Sequence, residues 1–88
     1  MTNSSPNLEL FYYASCPYCQ IVMEVILELS IKVEMLDILS SRDNLNRLVQ
    51  DTGRRTVPCL YIDNKPMFES RDIVAWLRKN KDRLEKVK

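Results

Sequence analysis

The sequence predicts an α/β sandwich: a four-stranded mixed sheet with three helices on its two faces, in the order βαβαββα. Three observations carry this reading. Short apolar runs alternate with stretches of helical spacing through the first part of the chain. Asp63-Asn64-Lys65 is a turn between two later runs, because Asn tolerates the left-handed conformation that a tight hairpin needs. A length of 88 residues makes room for one small domain and no more.

Residues 8–13 form an apolar-aromatic run, the first strand. Pro17 suits the first turn of a helix, where its missing N–H costs nothing. Ile21, Val22, Val25, Ile26 and Leu29 follow at helical spacing, which predicts a helix over 17–30 with a wide buried face. Residues 31–37 alternate Ile31, Val33 and Met35 against Lys32, Glu34 and Leu36, a second strand. Strand, helix and strand in succession give a right-handed parallel unit. Ser40 and Ser41 offer caps for a second helix, with Leu45, Leu48, Val49 and Thr52 on one side. The single glycine, Gly53, falls where that helix should stop.

Residues 57–62, begun by Val57-Pro58, make the third strand, and residues 66–69 the fourth, where Pro66 argues for an edge position. Ser70 is expected to cap a last helix with Ile73, Val74 and Leu77 on its apolar side and Trp76 as packing. The single domain over 1–88 thus has a core over about 8–80. Its charged tail, residues 81–88, is tethered only by Leu84 and Val87 and reads as a solvated face.

A chain 45% hydrophobic and 28% charged is globular, and a net charge of +1 gives no support to a nucleic-acid partner. The lack of histidine excludes the usual serine triads and histidine-ligated zinc. Three cysteines are too few, and an odd number, for the stapled framework of a small secreted domain. Residues 1–7 are polar and lack the apolar run of a secretory signal. The longest apolar-rich stretch, residues 21–29, is broken by Glu24 and Glu28 and falls short of the roughly 20 apolar residues of a membrane helix. These counts lead to an expectation of a cytoplasmic chain with working thiols and no membrane partner.

Cys16-Pro17-Tyr18-Cys19 stands where the first strand meets the first helix. The thiolate is the nucleophilic form of cysteine, and the unpaired N–H groups and positive dipole end of a helix start favour negative charge there. Cys16, ahead of the helix, is expected to be the exposed thiol and to attack. Cys19 lies in the first turn on the same side and is expected to close a disulfide and resolve. Cys-x-x-Cys can also be half of a metal site, and cysteine is often a small buried hydrophobe. A structural zinc takes four ligands, however, and this chain offers three sulfurs and no histidine, so no metal is expected.

Cys16-Pro17-Tyr18-Cys19 is the active-site tetrapeptide typical of dithiol glutaredoxins. Thr56-Val57-Pro58 resembles the second signature of that family, in which the proline peptide is cis and lies beside the active disulfide. With the spacing between them, the element order and the length, the chain resembles a small dithiol glutaredoxin over about residues 8–80. The resemblance implies a thioredoxin-like fold and a glutathione-dependent thiol–disulfide oxidoreductase. Cys16 would attack a protein disulfide or a glutathione mixed disulfide, and either a second glutathione or Cys19 would complete the reduction. Pro17, Tyr18 and Pro58 would support the site, Tyr18 by shaping access to the sulfur. Glutathione would be a co-substrate with no tightly bound cofactor, protein disulfides the other partners, and the chain a monomer.

In such a protein the Val57 main chain would pair with the cysteine of glutathione. The N–H groups of Ser70 and Arg71 would take a carboxylate, and Asp72 the γ-glutamyl amine. Read without the resemblance, Val57 is an ordinary strand residue, and Ser70 and Asp72 cap a helix. Phe68-Glu69 stands where most glutaredoxins have Gly-Gly, and Glu69-Ser70 resembles the matching turn of glutathione transferase N-terminal domains. Tyr13 occupies a place that often holds a lysine or arginine. Arg47, Arg54 and above all Arg55, directly before Thr56, are candidates for the missing charge. The glutathione-facing set is then Tyr13, Arg55, Thr56, Val57, Pro58, Glu69, Ser70, Arg71 and Asp72. Cys59 is either a third redox thiol, open to glutathionylation or dimerisation, or a half-buried strand cysteine. Two other readings are a glutathione-ligated iron–sulfur cluster carrier and the N-terminal domain of a glutathione-transferase-like protein, the latter suggested by Glu69-Ser70.

Overall fold

Residues 5–87 are described by a computed structural model; Lys88 and the first part of the polar leader, residues 1–4, lie outside it. The elements are β1 (Leu8–Tyr12), α1 (Pro17–Leu29), β2 (Glu34–Asp37), α2 (Arg42–Thr52), β3 (Cys59–Ile62), β4 (Lys65–Phe68) and α3 (Ser70–Asn80), followed by one 3-10 turn (Lys81–Arg83). The βαβαββα order stands. The sheet runs β2-β1-β3-β4, with β1 and β2 parallel and the other pairs antiparallel. Pro66 does lie on an edge strand, opposite Tyr61.

Alternation along β1 and β3 sorts the core into two clusters, one on each face. Leu8, Leu10 and Leu60 pack with Val22, Val25 and Ile26 of α1 and with Ile73 and Leu77 of α3. Phe11, Cys59 and Tyr61 pack on the other face with Ile38 and with Leu48 of α2. Burying a side chain of this size contributes about 1.5–3 kcal/mol. Glu9 shares the α2 face and is 8% exposed. Arg47 meets both of its carboxylate oxygens at 2.8 Å, and the guanidinium lies over the rings of Phe11 and Tyr61 at 5.4 and 4.9 Å. Outside the sheet, Arg78 ties α3 to Glu28 of α1 through two bonds of 3.0 Å.

Local signals explain most boundaries. The Ser41 hydroxyl accepts the N–H of Asn44 at 3.3 Å and caps α2, and Gly53 ends that helix at φ 74. Ser30 takes a left-handed C-cap at φ 56, so α1 stops one residue before the expected end. The second strand starts at Glu34 and not at residue 31, because Ile31 pairs with Lys86 instead. Lys32 donates its N–H to the Glu85 carbonyl at 2.8 Å, and Val87 donates to Ser30 at 2.9 Å. The charged side chains of the described tail are exposed, as expected of a solvated face, but its backbone is tied down. Its main chain closes on the turn after α1, and Leu84, 4% exposed, joins the core beneath. The third strand starts at Cys59, since Pro58 has no N–H for the ladder. Among the described residues no helix is long and apolar enough to cross a membrane.

The register decides where function gathers. Tyr12 faces Asp37, Phe11 faces Cys59, and Cys59 faces Phe68. The segments 13–16, 38–41, 53–58 and 69–70 consequently leave or enter the sheet at one end.

Candidate active site

Cys16 is the N-cap of α1, in extended conformation at φ −77 and ψ 117. Its Sγ accepts the N–H of Cys19 at 3.2 Å. Its own N–H bonds to the Tyr13 carbonyl at 3.2 Å, and the Gln20 side chain holds the Ala14 carbonyl at 2.9 Å. Pro17, at the first helical position, needs no acceptor. The sulfur thus receives a backbone donor at the start of a 13-residue helix. This geometry corrects one expectation. Cys16 is only 4% exposed, because its sulfur turns back onto the first turn of the helix.

Cys19 is fully buried one turn along. Burial, reinforced by the hydrogen bond with Cys16, pushes its thiol up to about 12. The two sulfurs therefore differ in kind: one accepts a backbone hydrogen bond, the other keeps its proton.

Beside this pair lies a groove of about 290 Å³ lined by Tyr18, Thr56, Val57, Pro58, Glu69 and Ser70. It draws on three separate segments, and all six residues belong to the set read from the sequence. The Val57–Pro58 peptide is cis, as the resemblance implies. Tyr18 is 64% exposed and forms the rim. Glu69 holds φ 74 and ψ 113 at the N-cap of α3, where no side chain caps the helix. The expected capping by Ser70 is corrected: Ser70 is already helical, and the first helical bond runs from the Ile73 N–H to the Glu69 carbonyl at 3.0 Å. The sharp passage from β4 into α3 uses a positive φ at Glu69 instead.

The remaining expected residues fall elsewhere. Arg71 and Asp72 are exposed in the first turn of α3, outside the groove lining. Tyr13 packs against the α2-face core and contributes its carbonyl to Cys16. None of the three candidate arginines lines the groove. Arg47 is held by Glu9, Arg54 lies over the Phe68 ring at 4.2 Å, and Arg55 lines a different groove with Ile38 and Arg42. Cys59 is fully buried against Phe11, Ile38 and Leu48, on the face opposite α1 and its thiols. Burial pushes its thiol up to about 12. This placement corrects its reading as a half-buried strand cysteine: it is wholly enclosed. Sequence reasoning missed Gln20 and Glu9. A carboxylate two residues before Phe11 in an apolar strand was the available signal for a buried ion pair.

Comparison with known proteins fits this geometry. The family described as "Glutathione S-transferase, N-terminal domain" matches residues 10–84. Glutaredoxin-C4, chloroplastic, of Oryza sativa subsp. japonica is 37% identical over 75 residues, which are 82% of this chain and 56% of that protein. A glutaredoxin of Vernicia fordii is 32% identical over 65 residues, 70% of this chain and 62% of its own length. The chain thus spans about three fifths of the length of these curated relatives. Among solved structures, a wheat glutaredoxin superposes with a TM-score of 0.68 at 21% identity, covering 91% of this chain and 83% of that one. That likeness shows the thioredoxin-like fold. The chain belongs to the glutathione S-transferase N-terminal domain family, as a glutaredoxin-like member of the thioredoxin-like superfamily.

Proposed function

We propose that the chain is a glutathione-dependent thiol–disulfide oxidoreductase that reduces glutathione mixed disulfides and protein disulfides. The observation that carries this reading is the Cys16 sulfur receiving the Cys19 N–H at 3.2 Å at the start of α1, next to the groove of Val57 and Pro58. The Cys16 thiolate attacks the glutathione sulfur of a mixed disulfide, and the protein thiolate leaves and takes up a proton. A second glutathione thiolate then attacks the Cys16–glutathione bond, giving oxidised glutathione and free Cys16. In the two-thiol route Cys19 loses its proton and displaces glutathione, leaving a Cys16–Cys19 disulfide. The proton that burial keeps on Cys19 favours the one-thiol route near neutral pH.

In this reading the Val57 main chain pairs with the cysteine of glutathione. The N–H groups at the start of α3 take its γ-glutamyl carboxylate, and Asp72 takes the amine. Glutathione is a co-substrate, no tightly bound cofactor enters the chemistry, and one chain supplies every group. A reducing compartment such as the cytoplasm suits three free thiols. The test is reduction of the mixed disulfide of glutathione and mercaptoethanol, coupled to glutathione reductase and NADPH. Wild type and Cys19→Ser are expected to be active and Cys16→Ser inactive. Full activity in Cys16→Ser overturns the reading.

The Glu69-Ser70 turn and the family match favour a second reading, the glutathione-holding domain of a transferase-like protein. Conjugation of glutathione to an aryl halide that survives Cys16→Ser would select it.

A further inference from the structure

A second groove opens at the same end of the sheet, on its β2 side. It encloses about 390 Å³ and is lined by Ile38, Leu39, Arg42, Leu45, Asn46 and Arg55. Arg55 directly precedes Thr56, which lines the first groove, so the two share the backbone of that loop.

The lining is unusual in two ways. Leu39 is 72% exposed, yet its loop is well tied. The Asp37 carboxylate accepts the N–H groups of Leu39 and Ser40 at 2.8 and 3.2 Å, and Asn44 donates to the Asp37 carbonyl at 3.1 Å. An apolar side chain held out on an ordered loop gains by being covered. Arg42 and Arg55, both exposed, have no carboxylate, hydrogen-bond or ring partner among the described residues, and no acidic residue lines the groove. Arg47 and Arg78, in contrast, each grip a carboxylate with two bonds. An apolar floor between two uncommitted guanidiniums is complementary to a chain segment carrying an apolar residue and a carboxylate.

Building on the oxidoreductase reading, we propose that this groove docks the protein half of a mixed disulfide and selects substrates with an apolar and an acidic residue beside the reacting cysteine. Glutathione occupies the groove on the β4 side of Cys16, and the substrate segment extends over Leu39 between Arg42 and Arg55. Cys16 attacks the glutathione sulfur, the substrate thiolate departs into the second groove and is protonated, and a second glutathione regenerates Cys16 as oxidised glutathione forms.

The test uses the full chain and two glutathionylated peptides that differ only in Leu-Asp or Leu-Lys beside the cysteine, with the glutathione–mercaptoethanol disulfide as a small substrate. Wild type is expected to favour the acidic peptide by about tenfold in kcat/KM, through KM. Arg42→Glu is expected to erase or invert that preference while the small disulfide and the KM for glutathione stay within about twofold. Position 42 opens α2, where a glutamate suits the helix dipole and the fold is kept. Equal turnover of the two peptides by wild type overturns the docking proposal and leaves the oxidoreductase reading intact. A rise in the KM for glutathione in Arg42→Glu, equal for all substrates, assigns the groove to glutathione and also overturns the proposal. Inactivity of wild type on all three disulfides overturns the oxidoreductase reading, and the proposal with it.

Discussion

The α1/α3 face of the sheet is lined by aliphatic side chains, whereas the strands themselves bury a carboxylate and a phenol, Glu9 and Tyr61, on the α2 face. On the first face, apolar packing beneath the exposed Arg78–Glu28 pair seats α1 and so places Cys16 and Cys19. On the second, directional bonds do more of the fixing: Arg47 bridges Glu9 and lies 3.7 Å from Asp51, which accepts the Tyr61 hydroxyl at 2.9 Å. That network pins α2, whose end feeds the loop carrying Val57 and Pro58. The two walls of the candidate site therefore rest on different physics, and changes on the two faces should fail differently.

The largest loss is expected on the apolar face. Ile73 is fully buried between sheet and helices, so Ile73→Ala should lower the unfolding free energy by about 3 kcal/mol in urea titrations. On the other face Arg47→Ala leaves the Glu9 carboxylate under cover without its partner. Because Arg47 is 37% exposed and water can reach the site, the expected loss is smaller, about 2 kcal/mol. The faces are told apart by rescue: Glu9→Leu combined with Arg47→Met should recover most of that loss. If Arg47→Ala is neutral, the α2 face is held by packing like its counterpart, and the contrast falls.

Alkaline pH should sharpen the same comparison, since each face hides one thiol pushed up to about 12, Cys19 beside α1 and Cys59 under α2. Unfolded, both release their protons near 9; folded, both keep them. Between these values the unfolded chain binds fewer protons, so stability is full below about pH 9 and falls as pH rises, by about 1 kcal/mol per thiol near pH 10. Tyr61, pushed up by burial and by the Asp51 carboxylate, adds a loss of the same sign. Denaturation midpoints followed from pH 8 to pH 10.5 should show the decline, and Cys59→Ala should reduce it while leaving disulfide reduction unchanged. An undiminished slope in Cys59→Ala would remove that thiol from the account.

What was legible in the sequence followed the same division. Apolar periodicity, the Ser41 cap, Gly53 and the Asp63-Asn64 turn are local or repetitive signals, and they gave the element order and most boundaries. Four of the six groove residues lie in the two motifs, and Glu69 and Ser70 were legible from the turn that opens the last helix. Long-range pairing was not. Nothing near Ile31 announces that Lys86 will take its main chain, and nothing near Arg47 announces Glu9, 38 residues away. Side-chain direction was equally hidden: Cys16 precedes its helix, yet its sulfur turns inward, and Arg55 adjoins Thr56 yet faces the other groove.

The smallest effect concerns the turn where the sequence leaves the glutaredoxin pattern. Glu69 keeps a positive φ of 74 with ψ 113, a conformation that glycine adopts freely and an L side chain resists by about 1–3 kcal/mol. Glycine also gains freedom in the unfolded chain, which offsets part of that relief. Glu69→Gly should therefore raise stability by less than about 1 kcal/mol, read as a small upward shift in the urea midpoint. Glu69 lines the groove, so removing its side chain also tests why a strained residue stands there. If Glu69 serves glutathione, Glu69→Gly should raise the KM for glutathione by about three- to tenfold while stability improves, a trade of fold against function. A gain in stability with no change in KM would instead make Glu69 a backbone accident, and would move the whole α3 side of the groove onto the main chain of Ser70 and Val57.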